Sequence, residues 1–139
     1  MATRRVFRTR SFTRWMRKAG LTDEALCNAV VEMAQGLIDA DLGGHLLKKR
    51  LALPGQGKRG GARTIVATKT ADRWFFVLGF AKNERANLDA AELKALQELA
   101  KHYLGFDDRQ IALAVGSGVL TEVCHDEEKA QQPDPARGP

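Results

Sequence analysis

HLLKKRLAL (residues 45–53), PGQGKRGGAR (54–63) and TIVATKTADRWFFVLGFAKNER (64–85) run together inside the stretch from Gly43 to Arg85. By period, this stretch is a strand, a long glycine-rich basic turn, and two further strands that end in a cluster of charge. In the first strand, alternation puts Leu47, Lys49, Leu51 and Leu53 on one side and Leu46, Lys48, Arg50 and Ala52 on the other. Lys48 and Arg50 are therefore neighbours on one face, with Lys49 on the opposite, packed face. RTIVAT (63–68) and WFFVLGF (74–80) are β-branched and aromatic segments joined by KTADR, a hairpin turn. WFFVLGF is apolar nearly throughout, the pattern of a central strand covered on both sides. Six basic residues, Lys48, Lys49, Arg50, Lys58, Arg59 and Arg63, fall between Gly43 and Arg63 with no acid among them. Folding the hairpin back gathers positive charge on one surface.

Outward from this centre the chain reads as scaffold. Upstream, Val6 to Thr9 forms a short strand that pairs with the central sheet. Ser11 is placed as the N-cap of an amphipathic helix, FTRWMRKAG, in which Phe12, Trp15 and Met16 face inward, Arg14, Arg17 and Lys18 face outward, and Gly20 ends the helix. Thr22 caps a second helix with Asp23 and Glu24 in its first turn, where they complement the helix dipole. DADLGG (39–44) is a turn. Downstream, Asn87 or Asp89 caps a long helix, LDAAELKALQELAKHYL. Asp107 and Asp108 begin a shorter one, and VLTEVC (119–124) is a last strand. Residues 126–139, DEEKAQQPDPARGP, are polar and proline-rich, the composition of a disordered tail.

The chain has 139 residues and a formal net charge of +5, which fits one domain with a polyanionic partner, nucleic acid first and an anionic membrane second. Its charge is segregated: residues 1–20 hold seven basic side chains and no acid, and residues 21–42 hold five acids and no base. Cys27 and Cys124 lack CxxC spacing, so neither a zinc site nor a disulfide framework is indicated and a reducing cytoplasm is the expected compartment. No apolar run approaches the ~20 residues of a membrane span. The basic N-terminus lacks the apolar segment of a secretory signal.

Of the chemical motifs, GQGKRGG departs from the phosphate-binding P-loop: Arg59 stands where the metal-binding Ser or Thr belongs, and no helix follows. Its glycines fit a mobile basic loop whose Lys58 and Arg59 touch nucleic-acid phosphates. His45, His102 and His125 lie in different elements and form no cluster. Ser117, in GSG, belongs to a helix-ending turn. AKNER (81–85) sets Lys82, Asn83, Glu84 and Arg85 together beyond a buried strand and before a helix, which gives a site rigid support.

The words LLKKRLAL, GGARTIVAT and FVLGFAKNERAN, in this order and together with DADLGG, resemble the RelE-like superfamily of bacterial toxins in type II toxin-antitoxin systems. That superfamily includes the RelE, HigB and ParE branches. The resemblance covers roughly Phe12 to His125 and is nearest the RelE and HigB group of small cytoplasmic toxins. It implies a compact α+β domain over residues 1–125: a curved antiparallel sheet with helices packed on one face and a basic concave surface on the other. It also implies cleavage of messenger RNA on the ribosome without metal or cofactor, and inhibition by a cognate antitoxin. Matched by motif, Lys48 and Arg50 are the paired basic residues of the strand, Arg63 is the holder of the scissile phosphate, and Lys82 and Arg85 are the basic positions after the central strand. Lys82 is the first choice of proton donor, with Glu84 a candidate base and His45 behind them. The chain departs from some members in having Asn83 where they have a further arginine, and VCH near the C-terminus where they have a tyrosine. A ParE-like toxin that inhibits DNA gyrase without cutting RNA, and a non-catalytic RNA-binding module, are the alternatives.

Overall fold

The computed structural model describes residues 4–54, 57–85 and 87–124, with the backbone alone for 57–60. The expected tail at 126–139 lies outside the described residues. In chain order the elements are β1 (Arg5–Thr9), α1 (Arg10–Ala19), α2 (Asp23–Ala34), β2 (Ala40–Gly43), β3 (Leu46–Leu53), β4 (Gly57–Ala67), β5 (Arg73–Ala81), α3 (Ala90–Leu104), α4 (Asp108–Gly116) and β6 (Leu120–Val123). The strands form one sheet in the order β2-β3-β4-β5-β1-β6. Its pairs are antiparallel except β1 with β5, which run parallel. The α+β class is as expected.

The expectation of helices on one face needs correction, because each face carries a pair. On one, Phe12 and Met16 of α1 and Leu26, Ala29, Val30 and Met33 of α2 pack on Val6, Leu51, Val66, Trp74 and Phe76. On the other, Ala100 and Tyr103 of α3 and Ile111 and Ala114 of α4 pack on Phe7, Leu46, Ile65, Phe75 and Phe80. The reason lies in β1 and β5. Adjacent residues point to opposite faces, and both strands put large apolar groups on each. Phe75 stacks on Phe7 at 5.0 Å on the α3 side, while Phe76 meets Phe12 at 5.3 Å on the α1 side. Leaving either face bare would cost about 1.5–3 kcal/mol for each such ring.

Local signals explain most boundaries. Thr22 caps α2 by accepting from the Ala25 N–H at 3.2 Å. Asp89 and Asp107 close capping boxes with Glu92 and Gln110, which fixes the starts of α3 and α4. The cap of α1 is Thr9, not Ser11: its hydroxyl accepts from the Phe12 N–H, so the helix begins at Arg10. Gly20, at φ 79°, ends that helix with the left-handed residue such a C-terminus favours. At Gly79 a Cβ would sit 2.3 Å from the Trp15 ring, so a glycine is what lets α1 lie this close to β5.

Three further expectations change. The glycine-rich segment expected as a loop is largely strand, since β4 starts at Gly57, which pairs with Leu53, and the register with β3 shifts before Ala62 pairs with Leu51. Glycine gains nothing from extended structure by itself, and here the pairs of Gly57 with Leu53 and Ala62 with Leu51 bracket the segment. DADLGG is not a simple turn: Ala40–Gly43 forms the edge strand β2, leaving Gly44 and His45 as a two-residue hairpin loop. Their φ values of 61° and 67° have the sign that a type I′ turn requires at both positions. Finally, Cys27 of α2 and Cys124, just after β6, form a disulfide with a Cα–Cα distance of 5.5 Å. They are 97 residues apart in sequence, so no spacing rule could pair them. Among the described residues no helix is long and apolar enough to cross a membrane.

Candidate active site

β3, β4 and β5 bring the central cations together by register. Arg50 pairs with Arg63, and Arg63 with Phe80, which makes one row across three strands. Lys48, Ile65 and Leu78 form the neighbouring row. Paired residues share a face, so Lys48, Arg50 and Arg63 all rise on the side carrying α3. Lys49, between them in sequence, points to the other side. It is buried there and held by Glu32 at 2.7 Å and by the Leu37 carbonyl at 2.9 Å.

Each cation of the cluster is held differently. Arg50 is exposed and tied to Asp39, whose carboxylate accepts from its Nε at 3.1 Å and also from its backbone N–H. Lys48 Nζ lies 3.5 Å from Asn87 Oδ1. Arg85 lies over the Phe80 ring, 4.9 Å from its centroid, and donates from Nη1 to Glu92. Glu92 also accepts from the Asp89 N–H. One carboxylate thus closes the α3 capping box and fixes Arg85 against the sheet. The hydrogen bond from Arg85, and then that from the Asp89 backbone, hold the Glu92 carboxyl below its ordinary range.

Arg63 differs from these. It is half-buried, its Nη1 is buried with no acceptor, and among the described residues no acid pairs with it. Two like charges directly opposed across strands repel, and Asp39 offsets the Arg50 member alone. The row therefore keeps an uncompensated guanidinium, a planar group with five N–H donors suited to phosphate.

AKNER forms the rim. Ala81 ends β5, and the chain turns back so that the Glu84 and Arg85 N–H groups reach the Ala81 carbonyl. Glu84 Oε1 accepts from the Ala81 N–H at 2.8 Å, which steadies the turn. Lys82 is exposed, and its backbone N–H binds the Gly61 carbonyl at 3.1 Å. Lys58 and Arg59 lie outside the described side chains. His45 is in the β2–β3 turn, five residues from Arg50 and so about 17 Å along the strand at ~3.4 Å per residue. It lines a separate cleft of about 580 Å³ with Lys69, Gln97 and Lys101. This removes it from the acid-base candidates.

Of the sequence-derived residues, the structure brings Lys48, Arg50, Arg63 and Arg85 onto one face and sets Lys82 and Glu84 at its edge. Sequence reasoning missed Asp39, Phe80, Asn87 and Glu92. For Glu92 a signal existed, since an acid three residues after Asp89 marks a capping box. Asp39 and Phe80 join the site through strand pairing, which leaves no local mark.

A small α+β protein with helices on both faces of a mixed sheet thus carries a cluster of lysine and arginine side chains beside the start of α3. The sequence pattern described as "RelE toxin of RelE / RelB toxin-antitoxin system" matches residues 4–123, and the chain belongs to that family. It is therefore a RelE-like toxin of a toxin-antitoxin system, and the family implies an antitoxin partner. Among curated proteins none matches the chain.

Proposed function

We propose that the protein inhibits translation as a ribosome-dependent endoribonuclease that cuts messenger RNA in the cytoplasm, with residues 1–125 as the working domain. The observation that carries this reading is Arg63: a half-buried guanidinium on a three-strand row, beside Arg50, with no counter-charge of its own among the described residues. A phosphodiester supplies the missing acceptor.

The RNA's own 2′-OH attacks the adjacent phosphorus, and the 5′ oxygen of the next nucleotide leaves. A 2′,3′-cyclic phosphate forms as the chain breaks, so atoms and charge balance without a cofactor. As the phosphorane gains negative charge, Arg63 and Arg85 stabilise it and Lys48 and Arg50 hold the flanking phosphates. Stacking on Phe80 and the bond to Glu92 aim Arg85 before substrate arrives, so its ordering is not charged to the reaction. At the rim, Lys82 protonates the leaving oxygen and Glu84 takes the 2′-OH proton on Oε2, the oxygen not bound to Ala81. Lys58 and Arg59 are assigned to phosphates along the same strand.

Induction in a bacterium followed by mapping of messenger RNA 5′ ends tests this. Codon-associated cuts by the wild type, absent in a folded Arg63→Ala variant, are expected. Double-strand DNA breaks with intact messages would place the protein with gyrase inhibitors. Intact messages and intact DNA would make it a binding module.

A further inference from the structure

The reaction surface leaves unexplained the cleft that His45 lines at the other end of the sheet. Its volume of about 580 Å³ lies in the range of small-molecule sites. Three elements meet there: the β2–β3 hairpin loop with Gly44 and His45, the turn after β4 with Lys69, and the C-terminal half of α3 with Gln97, Glu98 and Lys101. The cleft is remote from the cation row. Ala67, the last residue of β4, is already four residues beyond Arg63, or about 14 Å at ~3.4 Å per residue.

The walls are held in place. Gln97 donates from Nε2 to the Leu42 carbonyl at 3.2 Å, and a Cβ on Gly44 would sit 2.8 Å from Gln97 Cγ, so the hairpin loop is seated against α3. His45 has φ 67°, uncommon for a residue other than glycine, and its carbonyl accepts from the Thr68 N–H at 3.0 Å. That bond ties it to the residue before Lys69. The turn calls for positive φ, which Asn or Gly meets as well, so the fold does not require an imidazole here.

Nor does it require Lys69. Lys101 stands in the last turn of α3, where the helix dipole favours a cation, but Lys69 has no such role. A second cleft, of about 250 Å³, shares Lys69 and Leu104 with the first. Its other charges are answered: Arg73 donates to Asp108 and to the Phe106 carbonyl, and Asp72 accepts from the Thr70 hydroxyl. Among the described residues Lys69 and Lys101 form no ion pair.

We propose that this cleft binds a phosphate monoester carried on a ribose, that of a free mononucleotide or of the 5′-phosphorylated end of an RNA. Lys69 and Lys101 supply two charged donors to one dianionic group, and His45 a third donor. Glu98 is an acceptor only. It opposes a bare anion and accepts from sugar hydroxyls, so it selects a phosphate that brings hydroxyl groups with it. Leu104 offers apolar surface to the sugar and base. No residue is shared with the Arg63 site, so the inference does not depend on the nuclease reading.

Titration calorimetry with AMP, adenosine and inorganic phosphate tests it, on the wild type, Lys69→Ala, Lys101→Ala, His45→Asn and Arg63→Ala. AMP should bind the wild type at one site, more tightly than adenosine or inorganic phosphate. Each lysine variant should weaken AMP by about tenfold, the loss of one charge-assisted bond. Asn tolerates positive φ, so His45→Asn should weaken AMP without lowering the melting temperature. Arg63→Ala should bind AMP as the wild type does. A tetraribonucleotide with a 5′-phosphate separates the two sources: tighter binding than AMP, dependent on both lysines, marks an RNA end, and weaker binding marks a free nucleotide. Absence of AMP binding overturns the proposal, as does inorganic phosphate binding as tightly as AMP. Binding that survives in both folded lysine variants and is lost in Arg63→Ala overturns it too.

Discussion

Arg50 and Arg63 face each other directly across β3 and β4, and among the described residues only Arg50 has a carboxylate, Asp39, to answer it. Asp39 reaches Arg50 from just before the edge strand β2, binding its backbone N–H and its Nε. Asp39→Asn should therefore destabilise the fold by about 0.5–1.5 kcal/mol, the range for the net contribution of a hydrogen bond. Salt should restore part of the loss by screening the released arginine pair. Urea denaturation at two ionic strengths measures both, and a variant as stable as the wild type at low salt would contradict this account of the row.

Glu92 joins the α3 cap to Arg85. Because its folded-state pKa is depressed, its contribution to stability is present above the ordinary value of 4.5 and is lost as pH falls through the lower folded value. Glu92→Gln keeps an acceptor for the Asp89 N–H but cannot titrate. The stability gap between the wild type and this variant should close on acidification below pH 4.5, and a gap constant with pH would oppose the pairing with Arg85.

The disulfide ties α2 to the end of the short edge strand β6 across 97 residues. Disulfides typically give about 2–4 kcal/mol, and chain entropy puts a loop of this length near the upper end, at roughly 4–5 kcal/mol. Cys27→Ser should lower the melting temperature of oxidised protein, and reductant should bring the wild type down to the variant. Equal melting of both proteins under oxidising conditions would show that the bond does not hold the strand.

Gly79→Ala places a methyl in the Trp15 ring. Displacing α1 from β5 should cost at least about 1–3 kcal/mol, the usual range for overpacking. Thermal unfolding reads this directly, and a neutral substitution would mean that α1 is not seated as described.

Glu84 binds the Ala81 N–H with one oxygen. Glu84→Gln retains that acceptor and removes the proposed base. It should keep wild-type stability while lowering cleavage roughly 10²–10⁴-fold, the span of general-base contributions. Cleavage at the wild-type rate would leave Glu84 a turn residue only.

Much of this surface was legible in the strand wording. The period-two pattern of HLLKKRLAL separated Lys48 and Arg50 from Lys49, and the observed β3 follows it because one face of that strand is buried by apolar neighbours. Thr22 and Asp89 announced their helices through side chains that answer nearby N–H groups. What stayed hidden depends on distant pairing. WFFVLGF is apolar on both sides, so only the register with β4, shifted between Ile65 and Val66, assigns Phe80 to the Arg63 row. The glycines of 57–61 carry no side-chain pattern to mark a strand. The Cys27–Cys124 bond follows from where the two ends of the chain meet in space.

The central claim is most directly tested by adding purified protein to ribosomes programmed with a defined message and mapping the products. The wild type should cut the all-ribose message, leaving a 2′,3′-cyclic phosphate, and fail on one with a 2′-deoxy nucleotide at the cut. Folded Arg63→Ala should be slower by roughly 10²–10³, the cost of losing one donor to a developing oxyanion. Cleavage of the deoxy-substituted message, or wild-type cutting by folded Arg63→Ala, would contradict it.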